Sequence, residues 1–430
     1  MLKTHLLPIV MVFVFITSCQ KSLELKPIAN AVDYNHYLEQ NSSEKTAKAN
    51  ENFKFWNTKL LATPKQYVYL SKIAGVHNAK FEATANIKEL SKAEDNLRKI
   101  NQITKFENPN YLRALAHNLI SQHKFKSALD LVLKAEAIGE NLKASQKMLF
   151  DIHLELGNDE DAKNYLTKIK NFGDFDYLIR LAKWSDHNSD LQNAIHYMEK
   201  ATKIAEASNL ASLKIWSYTN LADFYGHNGQ VKKAYNFYLK TLKLDPENAY
   251  AKKGIAWIVF SHDKNPKEAN RIIDAILVNY SAPDYYLLKA EIATFNQNKL
   301  KEKEAISAYF NAVKDSLYGD MYNVYTAKLY AENQPQKALI LARKEVKNRP
   351  TAISYDLLAW CLLNNGQEQD ALTVIEEKVK PYTTEPDALF HMAKIYKANG
   401  LNSQVKTLKN ELLESTFEIG PLTEKDVQTL

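Results

Sequence analysis

A small residue recurs along this chain at a nearly constant interval. Ala128, Ala162, Ala194, Ala234, Ala269, Ala305, Ala338, Ala371 and Val405 stand 34, 32, 40, 35, 36, 33, 33 and 34 residues apart. Gly157, Gly229, Gly366 and Gly400 each lie five residues before one of these positions, a phase that 11 scattered glycines would not keep. This period constrains the fold more than any local motif. Each unit is one supersecondary element that cannot bury its apolar face alone, so only stacking of neighbours makes a core.

The apolar positions within a unit say what the element is. In "YTNLADFYGHNGQVKKAYNFYLKTLKLDP", Tyr218, Leu221, Ala222 and Tyr225 share one face of a helix. Gly229 permits a tight turn, Ala234 and Tyr238 face back from a second helix, and Pro246 ends it. The pattern returns as Leu112, Leu115, Ala116 and Leu119 before Ala128, and as Tyr355, Leu358, Ala359 and Leu362 before Ala371. It resembles the tetratricopeptide repeat, with Tyr in the Trp place and Ala in the Gly place. That resemblance implies an all-α chain: an α-α superhelix of about nine helical hairpins over residues 110–413, right-handed, with a concave groove lined by the first helix of each hairpin. Solenoids of this kind bind partners in the groove and are not themselves catalytic.

The period is broken in places. The interval of 40 before Ala234 predicts longer helices through "KATKIAEASNLASLKIWSY", and "NQNKLKEK" reads as an insertion in the turn of the unit at Tyr285 to Ala312. Residues 52–109 are less regular and are expected to form an N-terminal helical capping region, an atypical repeat. Residues 414–430, with Pro421, read as a polar C-terminal tail.

The opening residues, "MLKTHLLPIVMVFVFITSC", have the layout of a secretory signal: a weakly basic start, an apolar run too short to span a bilayer comfortably, then small residues. Ile16-Thr17-Ser18-Cys19 resembles the bacterial lipobox. That resemblance implies cleavage after residue 18 and lipidation of Cys19. Each buried methylene contributes about 0.8 kcal/mol, so several acyl chains would hold the protein on a membrane. Residues 19–51 are then a tether. Gln20 rather than Asp after the Cys implies the outer membrane, facing the periplasm, in a bacterial cell envelope. With Cys19 acylated, Cys361 is the remaining thiol and no internal disulfide forms.

On this alignment the groove wall carries Trp216, Tyr250, Trp257, Phe260, Tyr330, Trp360 and Phe390, with Arg113, His117, Lys147 and Lys253 among their polar neighbours. Aromatics on a concave wall could take a peptide, a helix or a sugar. The alternative is that these rings pack between repeats.

Other chemistries find no support. The 56 basic and 50 acidic side chains are interspersed, with no basic block for nucleic acid. "GNDEDA" and "DHNSD" put carboxylates where helices begin and cap free amides, and neither is a calcium loop. There is no H-E-x-x-H, phosphate-cradling loop, G-x-S-x-G or C-x-x-C, so no metal, cofactor or catalytic residue is expected. Two roles remain. One is a membrane-anchored scaffold for one or more envelope proteins or peptides. The other is a glycan- or small-ligand-binding lipoprotein of a nutrient-uptake system. A groove filled by the chain's own tail would count against the first.

Overall fold

A computed structural model describes residues 26–39 and 43–430. The signal segment and Cys19 lie outside the described residues. Those described form helices and turns, with no strand among them. Four helices come first: α1 (Ala31–Leu38), α2 (Glu44–Ala62), α3 (Val68–Thr84) and α4 (Ile87–Ile103).

Nine hairpins follow among the described residues, each an inner helix A and an outer helix B. They are α5 (Pro109–Ser121) with α6 (Phe125–Ile138), α7 (Leu142–Glu155) with α8 (Asp159–Lys168), and α9 (Phe175–His187) with α10 (Leu191–Ala207). Next come α11 (Ala211–His227) with α12 (Val231–Leu244), α13 (Ala249–Trp257) with α14 (Pro266–Leu277), and α15 (Asp284–Phe295) with α16 (Lys299–Val313). The last are α17 (Asn323–Ala331) with α18 (Pro335–Asn348), α19 (Ala352–Asn364) with α20 (Glu368–Val374), and α21 (Pro386–Ala398) with α22 (Asn402–Glu414). A final helix, α23 (Thr416–Gln428), closes the chain.

The recurring small residue is where helix B presses on helix A. Every aligned position from Ala128 to Val405 is buried, most of them completely. The turn before it is also shared. Gly157, Gly229, Gly366 and Gly400 have φ between 69° and 74°, and His123, Ser189 and Lys264 take the same left-handed conformation at the equivalent place. The turn is therefore more regular than its glycines. By the same criterion Gln297 (φ 57°) phases the sixth hairpin on Glu302, one helical turn before Ala305. "NQNKLKEK" is then no insertion, since the turn is short and Lys299 already opens α16. The long interval before Ala234 is explained as expected, because α10 and α11 each run 17 residues.

The solenoid coils far enough to meet itself. Lys126 Nζ donates to Lys347 O at 2.9 Å, Arg349 pairs with Glu155 at 3.2 Å, and its guanidinium lies 5.5 Å from the Phe125 ring centre. Gly157 has no room for a side chain there, since a Cβ would stand 2.9 Å from Pro350 O.

Residues 26–39 and 43–51 are not a free tether. The amides of Ile28 and Ala29 donate to Asp263 at 2.8 and 3.0 Å, and Tyr34 OH donates to Glu268 at 2.8 Å, which pins α1 across the outer helices α12 and α14. The polar spacing that suggests a linker satisfies these long-range bonds instead. No helix among the described residues is long and apolar enough to cross a membrane.

Candidate functional site on the concave wall

The C-terminal residues are not a free polar tail. Helix α23 is broken at Gly420–Pro421 and lies against the inner helices α11, α15 and α21, against the π-turn Ile258–His262 that follows α13, and against its chain neighbour α22. Trp257 Nε1 and Ser261 Oγ both donate to Phe417 O, at 3.1 and 2.6 Å. Glu418 pairs with His227 at 2.6 Å, Lys264 with Glu424 at 2.7 Å, and Lys425 sits over Phe295. The middle of the groove thus holds the chain's own last helix.

Beside this segment remains a chamber of about 410 Å³. Asp223 and His227 come from α11, Tyr250, Lys253 and Trp257 from α13, Asp284 and Glu291 from α15, and Tyr325 from α17. One or two helical turns separate the contributors on each helix, so the 3.6-residue period sets them on a single face. Asp223 accepts from Tyr238 OH at 2.5 Å and from Tyr250 OH at 2.6 Å, and burial raises its pKa despite both donors. Lys253 pairs with Asp284 at 2.6 Å. Burial also lifts Glu291, to about 7, with repulsion from Asp387 adding to it.

Of the residues expected on the groove wall, Tyr250, Lys253 and Trp257 share this chamber. Phe260 does not. The π-turn Ile258–His262 inserts an extra residue after α13, which rotates the ring into the core between Trp257 and Phe295. Arg113 is buried too, donating to Glu140 O and Ser145 Oγ, each at 3.0 Å, as a brace between the first two hairpins. Lys147 is held between Asp174 and Asp176 at 2.7 and 2.8 Å. Trp216 is half-exposed against the edge of Phe175, and His117 is exposed away from the chamber. Tyr330 stacks on Phe310, while Trp360 stacks on His391 beside Phe390. Cys361 is buried, and burial pushes its thiol up to about 12. Asp284, Glu291, Tyr325 and the C-terminal residues were outside the expectation. They meet only through packing between hairpins, for which the repeat period carries no signal.

Burial alone would lower the pKa of His227, but the Glu418 carboxylate outweighs it and holds the imidazolium to about 9. A raised folded-state value stabilises docking of the segment fully below the ordinary 6.5 and loses that contribution as pH rises through about 9. Hydrogen-exchange protection of residues 416–428, corrected for intrinsic exchange, should therefore fall between roughly pH 7 and pH 10. In a Glu418→Gln variant that dependence should vanish. A profile that stays the same in the variant would show that this pair does not set it.

Residues 217–248 match the family model described as tetratricopeptide repeat. A search of curated protein sequences finds no match. Among solved structures the chain is similar to a human IFIT1 dimer with PPP-AAAA, at 13% identity over 72% of this chain and 71% of that one, TM-score 0.46. It is also similar to yeast Tom70, at 14% identity over 93% and 96%, TM-score 0.36. A third is a tetratricopeptide repeat protein from Parabacteroides merdae, at 15% identity over 56% and 93%, TM-score 0.34. Residues 217–248 thus match a tetratricopeptide repeat, and the nine hairpins with their shared turn make the chain an all-α solenoid of helical hairpins.

Proposed function

We propose that the protein is a lipid-anchored scaffold of the bacterial cell envelope, held by Cys19 on the outer membrane and facing the periplasm. It holds a segment of an envelope protein on its concave wall and performs no chemistry of its own. The chain's own last helix fills the middle of the groove, which counts against a partner at that place. What supports the reading is that the wall has donors suited to main chain and that a chamber of about 410 Å³ stays open beside the segment. Trp257 and Ser261 donate to a main-chain carbonyl of the chain's own C-terminal segment. Donors aimed at backbone recognise a strand or helix end whatever its side chains, and neighbouring pockets add selectivity. The anchor is supported by the lipobox-like Ile16-Thr17-Ser18-Cys19. A second reading, a small-ligand-binding lipoprotein, is favoured by the chamber itself, whose size suits a small molecule.

Chemical crosslinking in the native host, followed by pull-down and mass spectrometry, tests the scaffold. Wild type would run beside Cys19→Ala and a Tyr250→Ala/Tyr325→Ala variant, whose half-exposed rings can be removed without opening the core. The expected result is one envelope protein enriched by wild type, reduced at least tenfold in the ring variant, with Cys19→Ala lost from the membrane fraction. Enrichment indifferent to the rings would sink the groove-based scaffold, and Cys19→Ala remaining in membranes would sink the anchor.

A further inference from the structure

The charges in the chamber do not balance. His227 is matched by Glu418 and Lys253 by Asp284, while Asp223 is satisfied by two tyrosine hydroxyls. Glu291 has none of this. Among the described residues no hydrogen bond or ion pair reaches its carboxylate, which is enclosed by the groove yet keeps an open face toward the chamber. Gly420 brings main chain close beside it, and Asp387 on α21, itself paired with Lys328 at 3.0 Å, repels it. Further along the inner wall burial also holds Asp186 and Glu385 up, with the charge of Glu418 adding to it and the His227 imidazolium opposing it. The field in this part of the groove favours a cation.

The walls narrow the choice. Trp257, Tyr250 and Tyr325 line the chamber with aromatic rings, and Leu287 and Leu288 offer apolar surface. Rings attract a cation through their quadrupoles while the leucines suit a hydrocarbon stem. An anion would meet Asp223, Asp284, Glu291 and Glu418. A neutral sugar would leave the Glu291 charge unanswered. No group of three or more His, Cys, Asp or Glu among the described residues is placed to hold a metal ion.

We propose that this chamber binds an alkylammonium group, with Glu291 as its counter-ion and Trp257, Tyr250 and Tyr325 around it. The proposal rests on the concave wall being a binding surface. It names the chemistry of what enters, either a free amine or the lysine side chain of a partner. Glu291 faces Trp257 from α13, Asp387 from α21 and the backbone at Gly420. Asp223, His227, Tyr238, Lys253, Asp284, Glu418, Tyr250 and Tyr325 are the remaining titratable groups of the chamber, and Lys328 pairs with Asp387 behind it. An ammonium ion stays charged through neutrality, so affinity should follow ionisation of Glu291. It should rise about tenfold from pH 6 to pH 8 as that carboxylate loses its proton near 7.

Isothermal titration of the full chain with n-butylammonium chloride, and with N-acetylated, C-amidated Gly-Lys-Gly, tests it. Binding should weaken about tenfold or more in Glu291→Gln, an isosteric change that leaves the melting curve in place, and the pH dependence should flatten. Tyr325→Leu, at a half-exposed ring, should weaken binding several-fold. Binding of both probes identifies a free amine as sufficient, and binding of the peptide alone identifies a partner's lysine. Binding of neither, or binding unchanged in Glu291→Gln, overturns the proposal. A crosslinked envelope protein still captured by Glu291→Gln would leave the scaffold standing and remove only the ammonium site.

Discussion

Replacing Gly420 by valine releases residues 416–430 from the concave wall and leaves the solenoid folded. Gly420 has φ 76° and ψ 168°, a conformation open to glycine almost alone. A Cβ there would stand 2.7 Å from Trp257 Cη2 and 3.0 Å from Glu291 Oε1. Strain of about 1–3 kcal/mol and overlap of about the same size both fall on the docked state and not on the released one. Against them stand the two bonds to Phe417 O, the His227 and Lys264 ion pairs, the bonds from Lys397 to Thr429 O and from Lys409 to Gln428 O, packing on α22 and the burial of Ile419, Pro421 and Val427. Both ion pairs are partly exposed, so solvent screening reduces what they contribute, and the His227 pair gives its share only below about pH 9. Local opening of this segment is thus the cheapest response. Exchange protection of residues 416–430 should fall about a hundredfold or more, while peptides from residues 217–248 keep theirs. Equal loss in both regions would mean that the segment and the repeats unfold as one unit, and unchanged protection would mean that the Gly420 contact is not made.

That response separates what the sequence discloses from what it hides. The repeat phase was legible because it is local. A small residue four positions into helix B and a left-handed turn before it sit within one unit, and Ala128, Ala234 and Ala371 are buried as their spacing requires. Phe260 was misplaced by a single residue of register. Nothing in "WIVFSHDKNP" announces that the backbone widens to a π-turn there, yet the extra residue turns the ring from groove to core. The C-terminal segment was misread for a different reason. Gly420 and Pro421 look like the end of structure, and they do break a helix, but the break is what fits Ile419 and Val427 to the wall. Glu291 was invisible because its meaning depends on Asp387 and Trp257, each on another helix. Contacts between distant hairpins decide the site, and no period encodes them.

Gly254 tests that point directly, because intrinsic helix propensity and packing predict opposite signs there. Gly254 lies inside α13, where alanine alone would stabilise by about 1 kcal/mol. But a Cβ at Gly254 would meet the Tyr238 ring at 2.3–2.7 Å. That ring is only 7% exposed, and its hydroxyl is committed to Asp223, so it cannot swing aside at low cost. Displacing it adds about 1–3 kcal/mol of overpacking and weakens a hydrogen bond to a carboxylate, itself about 1.5–3 kcal/mol. The net expectation for Gly254→Ala is a loss of about 2–4 kcal/mol, read from the urea midpoint of the transition reported by α11 to α14. In a Tyr238→Ala background the same change should cost nothing and recover the propensity gain, since the ring it would strike is gone. If Gly254→Ala instead stabilises the wild-type chain, the close seating of α13 on Tyr238 is wrong, and with it the placement of Tyr250, Lys253 and Trp257 around the chamber. The glycine is what lets that inner helix approach closely enough for its aromatic face to share a cavity with Asp223.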